Sequence, residues 1–347
     1  MTKNKETVCA IVVTYNRKEL LLECLKALRK QTRPIDAIYL IDNASSDGTP
    51  KILFDNGYIS ELPPNNLKEP WEKEFKIKNL ANGAIINLHY VRMSRNTGGA
   101  GGFYEGVKRA YEKGYDWLWL MDDDAEPEKD ALEKLDEYFD QRDISALSSI
   151  VKDTNGKINI YHRGFIKFNK IFPGFQNPLP VEKYLSPYVE IDFSSFVGII
   201  INKETIKKFG FPRKEFFIYG DDAEYCIRLR QFGKILLVTN SIIVHKDKTS
   251  EIINTKKFLG RVFLRVSYDK LWLTYFGTRN LIWLGRRYTT NKMLFYGRMF
   301  RNYIMSIAGI LLFDDHKIKR IKFLTNSYLD GLRGNFDNEK PKEILYG

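Results

Sequence analysis

Apolar residues along this chain come in short bursts, and each burst stops on a polar loop. VCAIVVT (8–14) is a β-branched run ending in TYNR, and KELLLECLKALRKQ then spaces its leucines at helical intervals. Unbroken or alternating apolar runs predict strands, and i, i+3, i+4 spacing predicts helices. AIYLID (37–42) is a second strand-like run, entering NASSDGT; INLHYVRMS (86–94) is a third, entering RNTGGAGGF and the helix-like YEGVKRAYEKG. YDWLWLM (115–121) is a fourth, running into DDDAEPE and the helix-like PEKDALEKLDEYFDQ. Four rounds of strand, loop and helix predict an α/β domain with a mainly parallel sheet. Ligands of such sheets bind at the carboxyl ends of the strands, where all four polar motifs fall.

The stretch 55–82 is polar, rich in Asn, Lys, Glu and Pro, and is expected as an insertion. Further on, EIDFSSFVGIIINKETIKKFG reads as strand then helix, FFIYGDDAEYCIRLRQFG as a loop entering a helix, and KILLVTNSIIVHK as a closing pair of strands. After His245 the chain turns basic, aromatic and helical in pattern. The expected division is an α/β domain over residues 1–246 and a helical C-terminal region over 247–347.

Composition narrows the class. A chain of 347 residues, 44% hydrophobic and 14% aromatic, can bury a large core, which excludes a disordered or fibrous protein. Cys9, Cys24 and Cys226 show no paired or metal-type spacing, so a reducing compartment fits. The start MTKNKETVCAIVV lacks the apolar run of a secretory signal, and YIMSIAGILLF (303–313) is shorter than the roughly 20 residues that span a bilayer. The expected location is cytoplasmic, peripheral on the inner face of a membrane. Charge is unevenly placed: residues 246–347 hold 20 basic and 9 acidic residues, a net of +11, whereas 1–200 are nearly balanced. Interleaved with aromatic residues, that excess fits an anionic surface, contact between copies of the chain, or simply a solvated basic face. Nucleic acid is a remote alternative, because its recognition motifs are absent and acidic clusters lie at the strand ends.

Three acidic or imidazole groups carry candidate chemistry. Asp122 and Asp124, two apart at a strand end, can face one cation, leaving Asp123 free; a solvated turn before an acidic helix start would also account for them. Asp222, at a loop-helix junction beside apolar rings, suits a general base, while Asp221 beside it would serve equally as a helix cap. His245 closes the apolar strand SIIVH, where a neutral imidazole can complete a metal site or simply be structural. The glycines of NTGGAGG permit close backbone approach to a ligand, but the segment is neither a P-loop nor a dinucleotide fingerprint.

Taken in order, IVVTYNR, LIDNASSDGT, RNTGGAGGF, LMDDDAEPE, YGDDAEYCIRL and IIVH resemble the family 2 inverting glycosyltransferases of the GT-A fold over residues 7–246, with bacterial galactofuranosyltransferases nearest and rhamnosyltransferases next. The resemblance implies that Thr14, Tyr15, Asn16 and Arg17 contact the nucleotide, and that Asp42, followed by Asn43, holds uracil or ribose. It implies that Asn96, Gly98 and Gly99 line the sugar-nucleotide pocket. Asp122, Asp124 and His245 would bind Mn²⁺ or Mg²⁺, with Asp123 contacting donor sugar or ribose. Asp222 would be the base, and Asp221 would touch acceptor or donor sugar. The implied partners are a UDP-sugar, expected to be UDP-galactofuranose, and a lipid-linked glycan acceptor; dTDP-rhamnose is the alternative donor. One departure stands out: YG precedes Asp221 where relatives commonly carry Trp; Arg279 and Asn280 also resemble a recurring family element, without an assigned role.

Overall fold

The computed structural model describes residues 6–246, 253–258 and 261–347. The expected start of the helical region at 247 lies outside the described residues. Strands and helices follow in the order β1 (Val8–Thr14), α1 (Lys18–Arg29), β2 (Ala37–Asp42), α2 (Thr49–Asp55), β3 (Trp71–Lys78), β4 (Ile85–Arg92), α3 (Gly98–Lys113), β5 (Trp117–Asp122), β6 (Ala125–Pro127), α4 (Ala131–Asp136) and β7 (Ile144–Lys152). Then come β8 (Arg163–Ile166), β9 (Gln176–Pro178), β10 (Tyr188–Ile191), β11 (Phe193–Ser194), β12 (Ile199–Asn202), α5 (Lys203–Phe209), α6 (Asp221–Leu229) and β13 (Lys234–His245). A hairpin, β14 (Ile253–Phe258) and β15 (Arg261–Val266), leads to α7 (Trp272–Tyr288), α8 (Lys292–Phe313), α9 (Lys317–Arg333) and α10 (Lys340–Tyr346).

The main sheet runs β10-β13-β7-β12-β5-β1-β2-β4-β3, with β6 beside β13. Its centre, β5-β1-β2-β4, is parallel as the alternation predicts, whereas β12 inserts antiparallel between β5 and β7, so the whole sheet is mixed. Successive side chains of a strand face opposite sides. Val8, Ala10 and Val12 accordingly join one core with Leu21, Leu25 and Leu28 of α1. Cys9, Ile11 and Val13 join the other, with Phe103, Val107 and Ala110 of α3. The central strands are buried on both faces, which is why they read as unbroken apolar runs.

Three local expectations meet a different outcome. Residues 71–78, inside the stretch expected as an insertion, form the edge strand β3, antiparallel to β4, with Phe75 and Ile77 buried. The predicted closing pair is one strand, β13, whose register with β7 breaks between Val238 and Ile242. Within that break the buried Ser241 hydroxyl bonds Ala131 O at 2.9 Å. The helix after the acidic triplet covers only Ala131–Asp136, and just beyond it Phe139 stacks on Trp117 at 4.3 Å.

The chain divides into two compact units, one of residues 1–165, 178–214 and 222–247, the other of 166–177, 215–221 and 248–347. The second has its own aromatic core, with Phe172, Ile282, Phe295 and Tyr328 in one cluster and Tyr275, Phe323 and Leu345 in another.

Candidate active site

Parallel pairing brings the polar strand ends together. Thr14 of β1 is level with Asp42 of β2, and Val13 with Asp122 of β5. After Asp124 the chain turns back as β6 and pairs antiparallel with the end of β13, placing Ala125 opposite His245. That pairing sets His245 Nε2 3.0 Å from Asp124 Oδ1. One ligand atom each from Asp122, Asp124 and His245 lies within 4.8 Å of the others. Two carboxylates and an imidazole suit Mn²⁺ or Mg²⁺, which take oxygen ligands and leave positions open, so the residues present fit such an ion.

Burial raises the cost of ionising these acids. Burial, with Asp124 adding like charge, pushes Asp122 up to about 7, and burial pushes Asp123 up to about 6. Burial acts on Asp124 the same way, but the His245 hydrogen bond and charge and the Arg17 guanidinium outweigh it and hold Asp124 below its ordinary value. Arg17 Nη1 sits 2.5 Å from Asp124 Oδ2 and 3.4 Å from Asp123 Oδ1. Asp123 is also bonded by Thr14 Oγ1 at 2.7 Å and Tyr15 N at 3.4 Å. Its carboxylate therefore ties the loop after β1 to the loop after β5.

The other residues expected around a nucleotide knit the strand-end loops to one another. Asp42 is fully buried and accepts from Tyr90 Oη at 2.8 Å, Arg92 Nη1 at 2.6 Å and Ser45 N at 2.9 Å. Asn43 donates to Asn96 Oδ1 at 3.0 Å and Gly98 O at 2.8 Å, and its own Oδ1 accepts from Thr97 N at 2.9 Å. Asn16, at φ 56°, accepts from Ser46 N at 2.6 Å. Tyr15 stays 45% exposed and available to a ligand. In the glycine segment, Gly98 takes φ 73°, a region that disfavours other residues. A Cβ on Gly102 would lie 2.5 Å from Val13 Cγ1, so this glycine serves the seating of α3 on β1. Gly99 faces open space, with nothing within 4 Å of the position a Cβ would take.

Asp222 lies in the first turn of α6, its Oδ1 accepting from Ala223 N at 2.7 Å. Burial pushes it up to about 6, against the opposing effects of backbone hydrogen bonds and the Arg163 charge. Asp221 is buried at the start of the same helix. Arg163 was not marked by the sequence, because Arg at the head of a short strand is ordinary on a surface. Here it is fully buried, and its guanidinium donates to Ser149 O at 2.8 Å, His162 O at 2.7 Å and Val197 O at 2.6 Å. Burial pulls it down to about 9, so it keeps its charge at neutral pH. His162 bonds Ser195 Oγ at 2.8 Å and meets the His245 ring edge-on, centroids 5.0 Å apart; burial, with the Arg163 charge, pulls it down to about 3 and keeps it neutral. Arg163, whose charge acts on Asp222, is thus bonded to the main chain of the half-buried His162, whose ring meets that of His245.

The structure also gives Arg279 and Asn280 a local task. Both are fully buried. Asn280 Nδ2 reaches Phe216 O at 2.9 Å, Ile218 O at 3.1 Å and Tyr219 O at 2.8 Å, and Arg279 Nη2 reaches Glu215 O at 3.2 Å and Phe216 O at 3.1 Å. The clamped turn holds Phe217 at φ 64° and Tyr219 at φ 68°, conformations that cost about 1–3 kcal/mol each and persist where the surroundings impose them. Asn280→Ala deprives the turn of these bonds, and a loss of roughly 2–4 kcal/mol is expected, read as a lowered midpoint in thermal unfolding.

These features are those of a nucleotide-sugar-dependent transferase, and comparison with known proteins places the chain. The pattern of glycosyl transferase family 2 matches residues 9–56 and 74–208, more than half of the chain, and the protein belongs to that family. It is 27% identical over 232 residues to the galactofuranosyltransferase GlfT1 of Mycolicibacterium smegmatis, covering 66% of this chain and 67% of that one. It is 24% identical over 257 residues to the dTDP-rhamnosyl transferase RfbF of Shigella flexneri, covering 72% and 80%. The structure of S. aureus TarS 1–349 with UDP-GlcNAc shares the fold, with a TM-score of 0.54 at 13% identity, covering 98% of this chain and 84% of that one.

Proposed function

We propose that this glycosyltransferase moves galactofuranose from UDP-galactofuranose to a hydroxyl of a lipid-linked glycan, in the synthesis of a surface polysaccharide on the inner face of the membrane, with inversion at the anomeric carbon. The reading rests on one observation above all: Asp122, Asp124 and His245 converge at the strand ends, in the same compact unit as an Asp222 whose pKa is raised. A divalent cation held by the three would supply positive charge to the departing diphosphate. Asp222, ionised above about pH 6, takes the proton of the acceptor hydroxyl as that oxygen attacks the anomeric carbon. A single displacement of this kind needs no covalent intermediate on the enzyme. Asp221 is proposed to orient acceptor or donor sugar beside the base, and Tyr15, Asn96 and Gly99 to border the nucleotide-sugar.

The similarity to the rhamnosyl transferase keeps dTDP-rhamnose as the second donor. Each donor, offered with Mn²⁺ and a membrane-extracted acceptor, decides between them. UDP release from UDP-galactofuranose is expected, and transfer only from dTDP-rhamnose would replace the furanose reading. Because the base must be ionised, the rate is expected to rise with pH through about 6 and then level, and a rate that falls across that interval would remove Asp222 from the role.

A further inference from the structure

Helix α8 is built inside out for a surface helix. Of its 22 residues only Phe295 and Ile310 are buried, and no acidic residue occurs in it. Met293, Phe300, Ile304 and Leu311 follow the helical period along its outer side, with Met305 and Leu312 beside them. Met293 is 86% exposed, Phe300 67%, Met305 63% and Leu312 62%. Of the 24 exposed large apolar side chains among the described residues, eight lie on this one helix, so the stripe is a concentrated feature and not the usual scatter. At 1.5 Å per residue it is about 28 Å long from Met293 to Leu312.

Charge selects the occupant. The exposed bases Lys292 and Arg301 lie on α8, and Lys317, Lys319 and Lys322 follow on α9. Asp314 and Asp315, at the end of α8, are engaged by their own chain: Arg265 Nε bonds Asp314 Oδ1 at 2.8 Å and Arg320 Nε bonds Asp315 Oδ1 at 3.0 Å. Two copies meeting through this stripe would confront bases with bases, and α8 carries no acid of its own to answer them. Negative charge has to come from outside, and a bilayer with anionic headgroups supplies it together with an apolar layer a few ångströms deeper. No helix among the described residues is long and apolar enough to cross a membrane, and the apolar stripe of α8 occupies one face of that helix.

We propose that the outer face of α8 is a docking surface for an anionic lipid bilayer, with the apolar stripe entering the headgroup boundary and the flanking Lys and Arg pairing with lipid phosphates. The inference deepens the lipid-linked acceptor of the proposed function and rests on that reading for its biological sense alone. It is tested by flotation of the full chain with vesicles of phosphatidylcholine, with and without phosphatidylglycerol, at low and high salt. Wild-type protein is expected to float with the anionic vesicles and to be released by salt. Phe300→Gln combined with Ile304→Gln is expected to bind about tenfold more weakly or worse, with circular dichroism and sugar-nucleotide hydrolysis unchanged. Equal flotation of wild type and variant would overturn the proposal, as would equal binding to vesicles without phosphatidylglycerol. A salt-resistant dimer that the double variant dissolves, with no flotation, would give the face to a second copy instead. Flotation needs no donor: a protein that transfers sugar but does not float refutes the docking face alone, and one that floats but turns over no nucleotide-sugar refutes the transferase reading alone.

Discussion

Asp222→Asn is expected to abolish sugar transfer while UDP binding stays as in the wild type. The amide is nearly isosteric and keeps the oxygen that accepts from Ala223 N at 2.7 Å, so α6 should start unchanged. What it loses is the capacity to take a proton. Removing a positioned general base typically costs about 10²–10⁴-fold in rate. The loss should fall on kcat, because the carboxylate acts on the acceptor hydroxyl in the transition state and not on the bound nucleotide. Single-turnover transfer beside calorimetric UDP titration separates the two. Retention of most of the activity would move the base elsewhere.

The second large effect is expected at Asp124. Its carboxylate joins two partners, the His245 imidazole at 3.0 Å and the Arg17 guanidinium at 2.5 Å, and is the member of the acidic triplet whose ionised form is favoured. Asp124→Ala removes a metal-ligand candidate and releases both partners. Mn²⁺-dependent donor binding should weaken on the order of a hundredfold, since even the groups that only orient metal ligands are worth about 10–100-fold in affinity. Donor titration with Mn²⁺ and with a chelator reads it out. A Mn²⁺ requirement identical to that of the wild type would count against the metal role of this cluster.

Much of this was visible in the residues, for physical reasons that differ along the chain. β1, β2 and β5 are buried on both faces, and such strands can only be written as unbroken apolar runs, so they and the polar loops closing them were readable at once. The grouping of the acidic triplet with His245 was readable from the order of the motifs. How the grouping arises was not, because it depends on the antiparallel pairing of β6 with β13 and no local pattern encodes a partner so far along the chain. The edge strand β3 escaped for the opposite reason: one side faces solvent, so its Lys and Glu mimic a loop. The resemblance implies ligand contacts for Asp42 and Asp123, but it says nothing of their partners within the chain. Their donors, Tyr90 and Arg92 for one, Thr14 and Arg17 for the other, come from neighbouring strands or loops. Within the glycine segment the pattern does not separate roles: the missing Cβ of Gly102 leaves room for Val13, whereas Gly99 faces open space. Arg163 gave no signal at all, since what makes it unusual is the ring of carbonyls around it.

Arg17 carries a consequence for how the protein lives with its own acidity. Its guanidinium, nearly half exposed, reaches in from the loop after β1 and partners both Asp123 and Asp124. Three clustered aspartates would otherwise push against one another whenever no ion was seated. With a tethered counter-charge against two of the three, part of that repulsion is offset from within the chain.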